Sequence, residues 1–299
     1  VVKICINVMG IFRRLTTQSV EASAFTITIT TTLANTTFTL PIADYSGLTP
    51  NFTVNWGDGS SGTILSSSSA SKIHTYVSAG SYTITIAGFM PSFRVNNTAA
   101  IKGLITGIVN WGTVGLRQVD FYGCTKITSI PSPDKTTSLS DVENFTRFMS
   151  NTGITSIPSG IFDNSLAVIN FTDVFSFTNI TTIPSGLFTN NTLVTIFNSS
   201  FNNCLLLSSY PSNLFDTNVN ATNFASTFKN CRALTSTVAF TYNTNVTTFG
   251  NVYYMSSTSN AMSGVAPSIW TRSPIPYGVG AFHNCTGLSN YGSIPANFI

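Results

Sequence analysis

Apolar residues fall into two rhythms along this chain. From Phe25 they alternate, with Phe25, Ile27 and Ile29 on one side and Thr26, Thr28 and Thr30 on the other, the period of two that marks a half-buried strand. Runs of the same kind cover residues 37–42, 52–56, 62–65, 81–87 and 93–96, separated by Gly, Ser, Asn and Pro. Short strands at this spacing predict a β-sandwich. Past residue 100 the alternation gives way to a long repeat, and the stretch at residues 183–204, IPSGLFTNNTLVTIFNSSFNNC, is one full unit of it. Pro131, Pro158, Pro184 and Pro211 recur at about 27-residue intervals, inside the window that signals stacked coils. Phe145, Phe171, Phe197 and Phe224 keep that step, as do Phe148, Phe175, Phe201 and Phe228. Cys124, Cys204, Cys231 and Cys285 share one repeat position, which Asn151 and Thr178 fill in the intervening units.

The change of rhythm near residues 96–100 divides the chain into an arm at 1–24, a sandwich at 25–97 and a solenoid at 98–299, and the fold class is mainly β. Residues 101–124 read as an imperfect first coil, as terminal repeats are often atypical. Within the regular coils ITSI, ITTI and LSSY, at residues 154–157, 180–183 and 207–210, are expected as short strands leading into proline. Register is lost between Ser236 and Pro276, where an insertion carries Tyr253, Tyr254, Met255 and Met262.

Composition narrows the class of surface. Charged residues are 8% of 299 and the net charge is +3, against roughly a quarter charged in ordinary soluble domains. The surface is therefore built from hydroxyls and amides. The cations are too few and scattered for a nucleic-acid patch, and no run of 18 or more apolar residues is present to span a bilayer as a helix. The four repeat-register cysteines read as small buried thiols, with Cys204 and Cys231 the only neighbours placed for a disulfide.

Two local patterns carry a resemblance to known families. WGDGS at residues 56–60, HTY at 74–76 and AGSYTITI at 79–86 together resemble the PKD family of immunoglobulin-like sandwiches. The IPSGLF-type coils resemble the BspA-like leucine-rich repeats. A PKD-like sandwich followed by such coils is similar to bacterial surface proteins and bacteriophage virion proteins. That resemblance implies an immunoglobulin-like sandwich, then a leucine-rich-repeat-type solenoid, in an extracellular, cell-surface or virion location. The implied function is non-enzymatic: adhesion or recognition of a host or partner, or, alternatively, a structural subunit of a phage capsid, tail or extracellular filament with no host ligand.

Candidate chemistry is sparse. No Gly-rich phosphate loop, G-x-S-x-G elbow or H-E-x-x-H pair occurs, so no catalytic, cofactor or metal residue is assigned. Asp58 reads as a turn residue between Gly57 and Gly59 rather than part of a calcium loop, which needs six to eight oxygens. His74 reads as a strand-edge residue, His283 as a surface substitution at the repeat place of Tyr122, Asn202 and Lys229, and Asp163 and Asp216 as turn or cap residues. What remains is a candidate binding face. Thr155 and Ser156, Thr181 and Thr182, Ser208 and Ser209, and Thr235 and Ser236 form pairs from which strand alternation is expected to expose one member per coil, a hydroxyl ladder suited to a glycan or a protein partner.

The ends point to assembly. Residues 294–299 reproduce the IPSGLF element without a polar capping coil after it, and the first two dozen residues match neither rhythm. Their apolar core precedes Arg13 and Arg14, the reverse of a secretory leader. Ile4, Ile6, Val8, Ile11 and Phe12 are expected to form a docking arm in an oligomer or larger assembly.

Overall fold

The computed structural model describes residues 23–95, 99–134 and 137–299. The protein is mainly β, with antiparallel sheets. Strand β1 (Phe25–Thr31) buries every odd-numbered residue, as its alternation requires. It pairs antiparallel with β6 (Gly80–Phe89), Ile27 opposite Ile84 and Ile29 opposite Tyr82. β6 pairs with β3 (Asn51–Asn55), and β3 with β4 (Ser61–Ile64). β2 (Thr36–Thr39) and β5 (Ile73–Tyr76) form a separate antiparallel pair. At the turn between β3 and β4, Gly57 has a φ of 84° and a Cβ there would fall 2.6 Å from the Thr83 carbonyl oxygen, so only glycine fits.

The sheet does not stop at residue 97. After the short helix α1 (Ala99–Lys102), β8 (Ile105–Asn110) returns to pair with β1, completing the order β4-β3-β6-β1-β8. β7 (Ser92–Arg94) lies parallel to β9 (Gln118–Asp120). Phe25 packs on Phe93 at 5.1 Å and on Phe121 at 6.5 Å, and Trp111 touches both Phe121 and Phe148. One hydrophobic core therefore runs across the expected boundary. Residues 101–124, read from sequence as a first coil, supply a strand of the first sheet as well as the seam to the coils. Period alone cannot see this, because β8 is short and its pairing partner lies about 80 residues earlier.

From β9 onward the chain winds in stacked turns. Parallel bridges link Gln118, Asn144, Asn170, Ile196, Asn223, Thr248 and Tyr277 in succession. Each coil donates alternate backbone N–H groups to the next: Phe171 to Ile196 O at 2.9 Å, Asp173 to Asn198 O at 3.0 Å, Phe175 to Ser200 O at 2.9 Å and Phe177 to Asn202 O at 2.8 Å. Pairs of positive-φ residues four apart shape the turn on several coils: Asp173 (54°) and Phe177 (57°), Ser199 (56°) and Asn203 (58°), and Ser226 (57°) and Asn230 (58°). The main ladder thus lies ahead of and through the Phe171 position. The ITSI-type segments, expected as the strands, hold only the bridge Thr182 to Ser209.

Three aromatic columns fill the interior. Phe145, Phe171, Phe197, Phe224 and Phe249 stack at 5.2 to 6.0 Å. Phe162, Phe188, Phe215 and Phe240 stack nearly parallel at 5.8 to 6.2 Å. Phe175, Phe201, Phe228, Tyr253 and Phe282 form the third. Hydrogen bonding corrects the sequence register by one residue at the first regular coil. Met149 donates to Val174 O as Phe175 donates to Ser200 O, so Met149, and not Phe148, holds the backbone place of Phe175, while the Phe148 ring packs on Trp111 and meets Phe175 edge-on at 6.3 Å. Likewise Thr152 fills the cysteine place, its hydroxyl donating to Met149 O at 2.7 Å, and Asn151 is the positive-φ residue before it. Thr178 does the same to Phe175 O. A Phe one residue early and an Asn one residue early mimic the repeat in letters.

The four cysteines are buried and unpaired, Cys204 and Cys231 included. The thiols of Cys204, Cys231 and Cys285 donate to carbonyls of the preceding coil, Phe175, Phe201 and Tyr253. Burial pushes the Cys204 thiol up to about 11 and those of Cys124 and Cys285 up to about 12, so none is a nucleophile near neutral pH.

A second polar device crosses the core. Buried Asn191 donates to the carbonyls of Phe162 and Ser165, Asn218 to those of Phe188 and Asn191, and Asn243 to those of Phe215 and Asn218. One coil further, Arg272 takes this role and donates to Phe240 O at 2.6 Å and Asn243 O at 2.8 Å.

Candidate interaction surfaces

All eight predicted hydroxyl residues, Thr155, Ser156, Thr181, Thr182, Ser208, Ser209, Thr235 and Ser236, are exposed. Alternation was expected to bury one of each pair. Instead the flanking Ile154 and Ile157, or Ile180 and Ile183, turn inward three residues apart and leave both intervening side chains in solvent. The row is held loosely: Ser208 N donates to Thr181 O at 2.9 Å, and its hydroxyl reaches the same carbonyl at 3.2 Å. A denser hydroxyl ladder, missed in the sequence, lies beside the main bridges. Thr195 donates its hydroxyl to Ile169 O, Thr222 to Thr195 O and Thr247 to Thr222 O, at 3.1 to 3.3 Å. Its signal is the T-x-F spacing before Phe197, Phe224 and Phe249.

Exposed aliphatic side chains accompany these rows. Leu166, Ile169, Leu193 and Val219 project on adjacent coils, each between 45% and 57% exposed. On the row of Tyr122, Asn202 and Lys229, Tyr254 and His283 stack at 4.6 Å, and Lys229 Nζ lies 5.0 Å from the Tyr254 ring. His283 thus sits where the repeat assigns it, on a half-buried surface row.

The N-terminal sheets carry a polar cluster at the β3–β4 turn. His74 Nε2 lies 2.7 Å from Asp58 Oδ2, with its ring stacked on Trp56 at 4.8 Å and edge-on to Tyr76. Asp58 Oδ1 accepts from the amide and hydroxyl of Ser60. Burial raises the Asp58 pKa, but the Ser60 and His74 interactions outweigh it and hold the carboxyl at about 2. The Tyr76 hydroxyl donates to Trp56 O. The Ser60 bonds close the β3–β4 turn on itself, and the His74 and Tyr76 contacts tie that turn to β5, a structural arrangement.

A groove of about 530 Å³ opens where the repeat register breaks. Thr241, Thr244, Asn245 and Thr247 line it, and the segment Arg272 to Pro276 forms its other side. Sequence reading placed no site here, because the feature is an irregular loop laid against a regular coil. Among the described residues no group of three His, Cys, Asp or Glu is placed to hold a metal ion, and no helix is long and apolar enough to cross a membrane. The arm residues Ile4, Ile6, Val8, Ile11 and Phe12 lie outside the described residues.

No protein-family model matches this chain, and no curated protein matches it significantly.

Proposed function

We propose that this chain is a non-enzymatic surface or virion component that mediates adhesion or recognition of a host or partner, built as a PKD-like, immunoglobulin-like sandwich joined to a BspA-like, leucine-rich-repeat-type solenoid. The observation that carries the reading is the contrast between interior and exterior of the coils. Inside, aromatic columns and buried amides fix each coil rigidly on the last. Outside, successive coils present hydroxyl and amide side chains, with few ionised groups in a chain that is 8% charged. A rigid scaffold with a repeated neutral surface suits contact with a large or repetitive ligand. Such a surface also fits an extracellular setting, where net charge is less needed to keep proteins apart. Applying the purified chain to an array of bacterial and host glycans tests the proposal. Saturable binding to a defined subset is expected, and a blank array counts against adhesion through sugars.

A second reading, an assembly subunit of a capsid, tail or filament, is favoured by the exposed aliphatic row of Leu166, Ile169, Leu193 and Val219. Particle imaging separates the two: ordered, stoichiometric copies in a lattice support assembly, and free projections support recognition.

A further inference from the structure

The groove at the register break is lined in part by a half-buried cation, Arg272. Among the described residues it makes no ion pair. Two of its N–H groups are taken by the carbonyls of Phe240 and Asn243, and its plane lies 5.1 Å from the Phe249 ring. A guanidinium has five N–H donors in a fixed fork, so three remain. A partly desolvated charge favours an ionised partner, and the groove walls contain no carboxylate. Desolvation lowers the Arg272 pKa, which is the same unmet demand seen from the proton.

The other walls have a definite chemistry. Thr241 and Thr244 are exposed on one side with hydroxyls that have no partner among the described residues, and Asn245 spends its amide N–H on Val219 O, leaving its oxygen to accept. Opposite them Pro274 and Ile275 present apolar surface, Ile275 at 65% exposure. One face thus offers neutral hydrogen-bonding groups, the other suits the C–H face of a ring, and the cation is part of the lining. The volume falls within the range of small-molecule sites.

We infer that this groove binds a carboxylate-bearing sugar, a uronic-acid type residue of a glycan, with Arg272 facing the carboxylate, Thr241 and Thr244 the ring hydroxyls, and Pro274 and Ile275 the apolar ring face. This deepens the recognition reading and rests on it for its biological meaning, but the site stands or falls on its own measurement. Saturation-transfer NMR on the full chain, with glucuronic acid, glucose and acetate in parallel, reads it directly. Glucuronic acid is expected to bind about tenfold or more tightly than either, since glucose lacks the charge-assisted hydrogen bond and acetate lacks the ring. Arg272→Gln is expected to weaken glucuronic acid binding by about tenfold or more. Because Arg272 also ties two coil carbonyls, Thr244→Val supplies the control: it leaves those bonds intact and is expected to weaken binding severalfold with an unchanged melting curve. A uronate-containing polysaccharide run beside the free sugar distinguishes a polymer ligand, which binds more tightly through neighbouring rings, from a free acid, which does not gain. Equal binding of glucose and glucuronic acid, no binding of glucuronic acid, or insensitivity to both substitutions overturns the site. Array binding that survives with the groove silent overturns this site while leaving the recognition reading in place. Glucuronic acid binding with a blank array supports the site and counts against adhesion through larger glycans.

Discussion

Replacing Asn218 probes the device that distinguishes this coil stack from a purely hydrophobic one. Asn218 is fully buried, and its side-chain amide donates to Phe188 O at 3.2 Å and Asn191 O at 2.9 Å. Each carbonyl keeps a second donor when the side chain is removed, Asn191 N for Phe188 O and Val194 N for Asn191 O. Neither is orphaned, so Asn218→Ala loses two net hydrogen bonds and a small packing volume, partly offset by removal of the buried, partnerless Oδ1, a net loss of about 1–2 kcal/mol. Asn218→Asp is harsher. A carboxylate of nearly the same shape has no N–H to give, faces two carbonyl oxygens, and is buried without a cation, a cost on the order of 3–5 kcal/mol above its titration. The sign with pH follows. The folded-state pKa of the introduced carboxyl is raised above its unfolded value of about 3.9. The protonated form is therefore favoured in the fold, and the extra destabilisation is absent below about pH 4 and grows as pH rises through that value. Urea unfolding followed by circular dichroism at pH 3.5 and pH 7 checks this. The Ala variant should lose a similar amount at both, and the Asp variant should fall well below it only at pH 7. A neutral Asn218→Ala, or identical Ala and Asp variants at pH 7, would refute the role assigned to the buried amides.

Other predictions follow from the same structure. Phe188→Ala, which empties the middle of a column in contact with Phe171, Phe197 and Phe215, should cost about 3–5 kcal/mol in urea, whereas Phe177→Ala, at 53% exposure, should fall within about 0.5 kcal/mol of wild type. Of the five cysteines, the four buried ones should stay unmodified by a thiol reagent at pH 8 in the native protein and react on unfolding; native labelling of two or more would contradict their burial. The Asp58 pKa is depressed to about 2, so its contribution is complete above the unfolded value near 3.8 and is lost as pH falls toward 2. Asp58→Asn should flatten that part of the acid-unfolding curve, and an unchanged curve would remove the Asp58–His74 pair from the account.

The sequence revealed most where one residue type had one job. β1 was legible because Phe25, Ile27 and Ile29 alternate with threonines and bury one face. The first aromatic column was legible because Phe145, Phe171, Phe197 and Phe224 fill equivalent interior places. It misled where residue letters repeat without the geometry. Phe148 imitates Phe175, yet the backbone ladder puts Met149 there, since a core accepts methionine for phenylalanine with little strain. The column of Phe162, Phe188, Phe215 and Phe240 and the amides of Asn191, Asn218 and Asn243 went unread, because only their contacts between coils give them a role. β8 was hidden for a different reason: its strand exists by pairing with β1, and no local pattern reports a partner that distant. Both members of each hydroxyl pair are exposed where strand alternation predicts one, because the i, i+3 apolar pattern belongs to an irregular segment and not to a strand. The groove beside Arg272 was not legible, since the loop that forms it follows no repeat.

The central claim is that the coil stack presents a recognition surface. Binding of the fluorescently labelled 299-residue chain to intact bacterial and host cells, with excess unlabelled chain as competitor, measures it most directly. The account predicts saturable binding to at least one cell type that the unlabelled chain displaces and that Thr181→Lys with Ser208→Lys, placed on the exposed hydroxyl rows, or Arg272→Gln, placed in the groove, reduces. Binding that is absent on every cell type, or that is unsaturable and indifferent to all three substitutions, would contradict it.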